Sequence, residues 1–262
     1  MAASNKKLRK FYSGVYKKGE ELHYSSLLFS GDKVPPAKRE VFKEISWAGK
    51  TVLDAGCGTG EMAYLIAKAG AKQVFGVDYS SAAIKVAKEN YNLPNLNYEC
   101  ADLSKFRSKF DVIVSLGTLE HQDDPLHTLK KLKERLNPRG HLILTCPNWT
   151  NPRGHILMTL WFLFRAKITL ADIHYLTPIE FKTWARQLNL ELSWRTIDHD
   201  WGYGKKMILD LERRLPNITR DSKLPTDGKK IKEFIAWAKK HIVPMGKRNE
   251  FSGAVGLYHF KK

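Results

Sequence analysis

Hydrophobic positions in the middle of the chain follow two alternating periods. From residue 51 onward, short runs rich in β-branched residues, which predict strands, alternate with segments whose apolar residues recur at helical spacing. This alternation is typical of βαβ units, which build a parallel sheet with helices on both faces. The run Phe110–Leu116 is strongly apolar, as expected for a strand buried on both faces. The pattern therefore predicts a doubly wound α/β fold.

The same pattern places the individual elements. It predicts seven strands, at Thr51–Asp54, Gln73–Asp78, Leu96–Cys100, Phe110–Leu116, His141–Cys146, Leu190–Ile197 and Ala254–Phe260. It predicts six helices, at Glu61–Ala69, Ser81–Asn90, Pro125–Leu136, Pro178–Leu188, Lys205–Leu215 and Lys229–Ile242. The tetrapeptide Asn-Pro-Arg-Gly at 137–140 predicts a stop after the third helix, and Thr177 is the expected cap of the fourth.

No internal repeat or low-complexity linker divides the chain. We predict a helical N-terminal arm or lid at 1–50, a core domain at 51–200, a helical cap insertion at 201–250 and the last strand of the core sheet at 251–262. The aromatic residues of the arm could close over a bound ligand, although simple packing explains them as well; they are Phe11, Tyr12, Tyr16 and Tyr24.

Charge is distributed unevenly along the chain, whose formal net charge is +17. Residues 1–50 carry 11 Lys/Arg and 5 Asp/Glu, residues 51–200 carry 18 and 16, and residues 201–262 carry 15 and 6. The basic ends permit an anionic partner such as a nucleic acid or an acidic lipid surface, but a solvated exterior explains them equally well. Charge alone does not choose a function.

Composition and cysteine usage favour a cytoplasmic enzyme. The hydrophobic fraction of 43% over 262 residues suits a packed core. The three cysteines are odd in number, widely spaced and free of any CxxC pairing, which argues against a disulfide framework and against a zinc site. The basic start of the chain is not followed by an apolar h-region, so we expect no secretory signal.

The glycine-rich run VLDAGCGTG at 52–60 is the strongest chemical signal. An apolar strand ends in Asp54, and the chain turns through three glycines before a helix begins, as happens where bare backbone approaches a nucleoside. Eighteen residues after Gly60 the second strand ends in Asp78, where a carboxylate can accept hydrogen bonds from ribose hydroxyls. Because Gly58 to Ala63 also fits a dinucleotide fingerprint, these two features predict nucleoside binding without naming the nucleoside. Asp102 follows the third strand, and this third acidic position favours S-adenosylmethionine (SAM) as the bound nucleoside.

The ordered motifs DAGCGTG, GVDYS, ADL, FDVIVSLGTLEHQDDP and LNPRGHLILTCPN together resemble the class I SAM-dependent methyltransferases. The resemblance covers about residues 50 to 200 and is greatest to the small-molecule branch that includes ubiquinone and menaquinone biosynthesis enzymes. It implies SAM as cofactor and a seven-stranded, mostly parallel sheet whose last strand is antiparallel. It also implies that the loop holds the methionine part of SAM, Asp78 the ribose, and Asp102 with Leu103 the adenine.

Three of the acidic residues predicted to bind the cofactor could instead have a purely structural role. Asp54 and Asp78 could only cap a turn or a helix, and Asp102 could open an ordinary helix. The predicted cofactor-binding residues are Asp54, Gly56, Cys57, Gly58, Gly60, Asp78, Tyr79, Asp102, Leu103 and Ser115.

His121 is the leading candidate for a catalytic base, because it follows the fourth strand where similar enzymes carry a histidine near the methyl acceptor. A structural role in packing the loop is the alternative. A metal site at His121, Asp123, Asp124 and His127 is not expected, since Asp124 precedes Pro125 as a helix cap would. The candidate acceptor-binding residues are His174, Tyr175 and Asn148.

The apolar segment Gly154–Phe164 allows two interpretations. It could be an interfacial helix that contacts a membrane peripherally, or a helix of the cap that packs on the core, which we favour because the segment is short. These features predict a SAM-dependent methyltransferase acting on a small molecule, most simply by O-methylation. RNA methylation through the basic ends and a non-enzymatic SAM-binding adaptor are the alternatives.

Overall fold

The computed structural model describes residues 35–102, 108–169, 172–225 and 227–262. Its centre is a seven-stranded sheet with the order β3-β2-β1-β4-β5-β7-β6, in which six strands are parallel and the last is antiparallel. The strands are β1 Thr51–Ala55, β2 Gln73–Asp78, β3 Leu96–Cys100, β4 Phe110–Leu116, β5 Leu136–Pro147, β6 Glu191–Ile197 and β7 Val255–Lys261. The predicted fold class is confirmed.

Helices connect the strands in the alternation that the sequence predicts. They are α1 Pro36–Phe42, α2 Glu61–Lys68, α3 Ser81–Asn90, α4 Pro125–Glu134, α5 Pro152–Phe164, α6 Pro178–Gln187, α7 His199–Tyr203, α8 Lys205–Asp221 and α9 Gly228–His241. Short 3-10 turns lie at Leu119–His121 and Val243–Met245. The predicted bounds of β2, α3, β3 and β4 match the structure, whereas the five-residue helix α7 was not predicted.

The core of the sheet is built around β1. This strand pairs in parallel with β2 on one side and with β4 on the other, so that Asp54 lies opposite Gly76 and Val114. Val52 and Leu53 are fully buried, as are Ile113 and Val114 of β4. Continuous burial on both faces explains why these strands read as apolar runs and not as alternating ones.

Helix α4 ends at Glu134, so it stops before 137–140 as predicted, but β5 begins at Leu136 and runs through this tetrapeptide, whereas the predicted strand began at His141. The register between β4 and β5 shifts there, and Arg139 has a positive φ of 59°, so the segment forms an irregularity within the strand. Asp111 holds it by accepting hydrogen bonds from Thr51 N at 2.9 Å and from Asn137 Nδ2 at 2.8 Å. The proline and glycine therefore follow the end of α4, as predicted, and lie within an irregular part of β5. The side-chain hydrogen bond from Asn137 to Asp111 could not be predicted from the local sequence.

The last strand is fixed to β5 by side chains as well as by its position in the sheet. His141 Nδ1 and His259 Nε2 lie 2.8 Å apart, and Glu44 Oε2 lies 3.3 Å from His259 Nδ1. Lys262 N donates to Gly140 O at 3.0 Å. These contacts hold β7 beside β5. The resemblance implies such an antiparallel last strand.

The helix caps follow the sequence closely. Asp124 accepts a hydrogen bond from His127 N at 2.9 Å, which confirms it as the cap of α4. Thr177 and Glu180 form a capping box, in which Thr177 N donates to the Glu180 carboxylate at 2.7 Å and Ile179 N donates to Thr177 Oγ1 at 3.3 Å. Ser80 caps α3 by accepting from Ala83 N, so Asp78 is not the cap of that helix.

Contacts divide the chain into two compact units. The first contains the described residues up to Cys146 together with Lys182–Ser193 and Tyr258–Lys262, and the second contains Pro147–Phe181 and Trp194–Leu257. The predicted division at residues 50, 200 and 250 stays a prediction. The arm residues Phe11, Tyr12, Tyr16 and Tyr24 lie outside the described residues.

The second unit has its own hydrophobic cluster, formed by α5, α8 and α9. Its fully buried members include Leu157, Met207 and Leu211. Helix α8 continues past the predicted end at Leu215 to Asp221, despite Pro216, and this extension buries Ile218 in the cluster. The free energy gained by burying Ile218 offsets the cost of the backbone hydrogen bond that Pro216 cannot donate.

Helix α5 coincides with the apolar segment. It buries Gly154 and Leu157, whereas Phe162, Leu163 and Phe164 at its end are 62%, 70% and 53% exposed. Among the described residues, no helix is long and apolar enough to cross a membrane. Peripheral membrane contact through this helix stays a prediction.

Candidate active site

The carboxyl ends of β1, β2 and β4 meet at one edge of the sheet. Asp54 is the fourth residue of β1, Asp78 ends β2, and the turn that carries His121 follows β4. Because neighbouring parallel strands end together, the two carboxylates and this turn come from distant parts of the chain to one edge, where ligands of open α/β sheets bind.

The glycine loop is held in a conformation that side chains disfavour. Gly56, Gly58 and Gly60 have φ values of 81°, 53° and 87°. Gly56 N and Cys57 N both donate to Val77 O, at 2.8 and 3.1 Å, which fastens the loop across the end of β2. The backbone conformation is therefore by itself a sufficient reason for glycine at these three positions.

Two side chains pack directly on this loop. A Cβ at Gly60 would lie 2.5 Å from the Tyr98 hydroxyl, which donates a hydrogen bond to Gly60 O at 2.9 Å. A Cβ at Gly56 would lie 2.5 Å from Thr118 Oγ1. The loop thus rests on a tyrosine from β3 and touches the turn after β4.

Asp78 binds the loop backbone. Its Oδ2 accepts from Gly58 N at 3.0 Å, and its Oδ1 accepts from Ser80 N at 2.8 Å. Burial raises the pKa of this carboxyl, against the hydrogen bonds from backbone amides. Each carboxylate oxygen has a second lone pair, so Asp78 can accept further hydrogen bonds from ribose hydroxyls.

Asp54 and Glu61 are carboxylates buried at opposite ends of the glycine loop. They are 2% and 1% exposed. Glu61 pairs with the Lys38 ammonium of α1, and Asp54 accepts from the Ala63 backbone amide. Asp54 Oδ2 and Glu61 Oε1 are nevertheless buried without a hydrogen-bond partner among the described residues. Burial raises the pKa of Asp54 to about 7, the nearby Lys38 lowers it and Asp78 raises it further.

The remaining predicted cofactor residues lie at the same edge in different settings. Ser115 is buried and donates to Ala55 O at 2.8 Å, so its hydroxyl joins β4 to β1. Cys57 is partly buried, and burial raises the pKa of its thiol. Tyr79 follows Asp78, and Asp102 is exposed just beyond β3. Leu103 lies outside the described residues.

His121 ends the 3-10 turn and is partly buried. Its backbone amide donates to Thr118 O at 3.2 Å, and the Thr118 side chain is the one that packs under Gly56. The preceding residue, Glu120, is buried and accepts from the Cys146 thiol at 3.2 Å. The turn that ends in His121 therefore packs against the glycine loop through Thr118.

The candidate acceptor residues all belong to the second unit. Asn148 is fully buried, donates to Phe251 O and Gly253 O at 2.8 and 2.7 Å, and accepts from Thr150 Oγ1, so its amide is used structurally. Tyr175 packs edge-on against Trp149 and Trp161. His174 Nε2 is buried without a hydrogen-bond partner in the described part of the chain.

Sequence reasoning missed four residues of this site. Lys38 lies 16 positions before Asp54, outside any motif, and Tyr98 and Thr118 look like ordinary strand and turn residues. Of the four, only Glu61 could have been recognised from the sequence. It directly follows the last glycine and begins a helix, and a negative charge is favoured at a helix N-terminus.

The sheet order, the strained glycine loop and the two strand-end carboxylates define the class I methyltransferase architecture. The chain belongs to the methyltransferase domain family, whose family model matches residues 33–193. The cofactor of the family is SAM.

Two curated relatives carry the name ubiquinone biosynthesis O-methyltransferase. Residues of this chain are 37% identical over 119 residues to the ubiquinone biosynthesis O-methyltransferase of Coxiella burnetii, which covers 44% of this chain and 50% of the relative. They are 38% identical over 129 residues to the mitochondrial enzyme of that name from Schizosaccharomyces pombe, covering 46% and 47%. The chain spans about half the length of these curated relatives.

Solved structures share the fold at low identity. A SAM-dependent methyltransferase from Mesorhizobium loti aligns with a TM-score of 0.54 at 16% identity, over 86% of this chain and 96% of that one. Phosphoethanolamine N-methyltransferase 2 of Haemonchus contortus, in complex with SAM, aligns with a TM-score of 0.60 at 16% identity, over 97% and 60%. These alignments support the fold.

The site fits SAM on its own chemistry. The loop offers bare backbone, Asp78 offers acceptors for hydroxyls, and the unpartnered oxygens of Asp54 and Glu61 are a negative, buried setting for a ligand that carries ammonium and sulfonium groups.

We predict that Gly60→Ala destabilises the protein more than Gly49→Ala does. Both glycines have positive φ, 87° and 73°, but a Cβ at Gly49 meets nothing within 4 Å, whereas one at Gly60 meets Tyr98. The backbone strain of about 1–2 kcal/mol is common to both, and overpacking at Gly60 adds at least about 1 kcal/mol. Urea unfolding measures the difference, and equal losses would show that Tyr98 does not constrain the loop.

We also predict a pH dependence that belongs to Asp54. Its pKa of about 7 in the folded protein lies above the usual 3.8, so the folded state holds a proton that the unfolded state has released. The free energy of unfolding should therefore fall as pH rises through this window, by up to about 1.4 kcal/mol per pH unit. Asp54→Asn should gain stability relative to the parent protein as pH rises from about 5 to 8 in ligand-free urea titrations. A constant difference between the two proteins would contradict the assignment.

Proposed function

We propose that this chain transfers the methyl group of SAM to a hydroxyl of a small-molecule acceptor. The name of the two curated relatives described above, ubiquinone biosynthesis O-methyltransferase, supports O-methylation and an acceptor related to a quinone precursor. The observation that carries the proposal is the placement of His121, a proton acceptor, on the turn that packs against the glycine loop.

A hydroxyl acceptor must lose its proton when it is methylated, which creates the need for a base beside the cofactor. Bound SAM supplies an electrophilic methyl group on a sulfonium. His121 is suited to hold the released proton, because a neutral imidazole accepts protons near physiological pH. Glu120 and Thr118 support the turn that positions it, through the Cys146 thiol and the contact with Gly56.

Other residues have supporting roles in this proposal. The loop at 54–60 and Asp78 hold the cofactor, and the partly buried Tyr175 and His174 are acceptor-binding candidates within the second unit. The unpartnered Nε2 of His174 supports a ligand contact there, since a buried ring nitrogen without a hydrogen bond is unfavourable. Asn148 is the weakest candidate, because its amide is already bonded.

Transfer of tritiated methyl groups into fractionated extract tests the proposal. We expect label in the organic-extractable small-molecule fraction, because a hydroxyl acceptor of the relatives' class is small and partly apolar. Label confined to RNA would contradict the proposal and would favour the RNA alternative suggested by the basic ends. Label confined to protein would contradict it equally.

We predict that His121→Ala lowers the turnover number by about 10²- to 10⁴-fold while leaving the SAM dissociation constant unchanged, because the base acts in the chemical step. His127→Ala is the matched control, since His127 is exposed on the next helix and should turn over normally. Turnover assays and SAM titrations on both variants separate the two effects. Normal turnover in His121→Ala would remove this residue as the base.

A further inference from the structure

An arginine of the second unit is buried with few hydrogen-bond partners. Arg153 is the second residue of α5, and its side chain is only 11% exposed. Its Nη1 lies 3.4 Å from Asp210 Oδ2, which is long for a hydrogen bond between charged groups, and its Nε is buried without a partner among the described residues. A buried guanidinium that donates so few hydrogen bonds is unfavourable in free energy unless a ligand completes them.

Asp210 already has a better partner than Arg153. Arg214 Nε and Nη2 donate to the two oxygens of Asp210, each at 3.1 Å, and Arg214 Nη1 donates to Ile168 O at 2.8 Å. Arg214 thus forms a bidentate pair with the carboxylate, which is a strong arrangement for these groups. Burial lowers the pKa of the Arg153 guanidinium, against the attraction of Asp210 and Asp172. Arg153 therefore retains both charge and donors for a further anion.

Aromatic rings connect Arg153 with the candidate acceptor residues. Arg153 Cζ lies 5.8 Å from the centroid of the Trp149 ring, and the Tyr175 ring lies edge-on to Trp149 at a centroid distance of 5.2 Å. His174 precedes Tyr175, and its Nε2 is the other buried side-chain nitrogen in the described part of the second unit without a hydrogen-bond partner. Two such nitrogens, in residues next to the same pair of rings, indicate a binding site for a polar ligand.

We propose that Arg153 binds an oxyanion of the methyl acceptor, a carboxylate or a phosphate, and so selects acceptors that carry a negative charge in addition to the hydroxyl that is methylated. The planar guanidinium matches both groups, since two of its N–H donors can bond two oxygens at once. This inference rests on the proposed function and deepens it, because it assigns a chemical class to the acceptor of the same reaction.

Anion-exchange chromatography of the labelled product tests the charge of the acceptor on the parent protein. The protein methylates fractionated extract with tritiated SAM, and the labelled small molecules are applied to the resin near neutral pH, where carboxylates and phosphates are ionised. We expect the product to be retained and to elute with salt, because O-methylation of a hydroxyl leaves the oxyanion in place. Treatment with a phosphomonoesterase distinguishes the two sources: loss of retention identifies a phosphate, continued retention favours a carboxylate, and either result supports the proposal.

Arg153→Met and Arg213→Met separate the role of Arg153 from the charge of its surroundings. Arg213 is the matched control, because it lies 3.6 Å from the same Asp210 but is 67% exposed, so each variant removes one positive charge beside that carboxylate. Arg153→Met should raise the KM for the acceptor fraction by about tenfold or more, with little change in kcat, since hydrogen bonds to a charged group are lost. Arg213→Met should match the parent protein.

Arg153→Lys provides a second variant if Arg153→Met does not fold. Lysine keeps the positive charge beside Asp210 but lacks the planar set of donors, so KM should rise here as well. The SAM dissociation constant of each folded variant should equal that of the parent, which shows that the loss concerns the acceptor and not the whole protein.

A labelled small-molecule product that passes through the resin unretained would overturn the inference. An unchanged KM in Arg153→Met or Arg153→Lys, or an equal rise in Arg213→Met, would overturn it too. These outcomes leave the proposed function intact, because methyl transfer to a small molecule still occurs. Absence of label from all small molecules is a different result, which defeats the proposed function together with this inference.

Discussion

The structure depends on carboxylates that are buried where parallel strands end. Asp54 and Asp78 lose their hydration at the edge of the sheet, and the glycine loop crosses this edge with the Gly58 amide donating to Asp78. Burial raises the pKa of both carboxyls. Such groups are costly unless they bind backbone donors, a cation or a ligand. The loop conformation, the Lys38 contact and the unpartnered oxygens are all consequences of this burial.

The same constraint explains why the loop tolerates so little change. Gly60 must leave space for Tyr98, and Gly56 must leave space for Thr118. The second contact links the loop to the turn that ends in His121, so the loop proposed to hold the cofactor and the turn that carries the proposed base pack against each other. A sheet that brings these ends together makes the arrangement possible, and the side chains around the loop make it rigid.

Much of the first unit could be predicted from sequence because its signals are local. The strand periodicity predicted β2, β3 and β4 correctly, and Asp124 indicated the start of α4 because its side chain accepts a hydrogen bond from His127 N. In the second unit, Thr177 indicated the start of α6 in the same way, by accepting from Ile179 N. The early start of β5 at Leu136 was not predicted, because this segment is held by a hydrogen bond from Asn137 to Asp111, which lies 26 residues earlier in the chain. Lys38 was missed for a similar reason, since its ion pair with Glu61 spans 23 residues. Asn148 was predicted to bind the acceptor, but its side-chain amide donates hydrogen bonds to backbone carbonyls that lie more than 100 residues later in the chain.

Titration of the ligand-free protein with SAM tests the central claim most directly. The account predicts saturable binding that weakens by about tenfold or more in Asp78→Ala, because hydrogen bonds to a charged acceptor are lost. Asp111→Ala removes a carboxylate that bonds Thr51 and Asn137 away from the loop, and it should bind SAM as the parent does. Absence of SAM binding by the parent, or equal affinity in Asp78→Ala, would contradict the account.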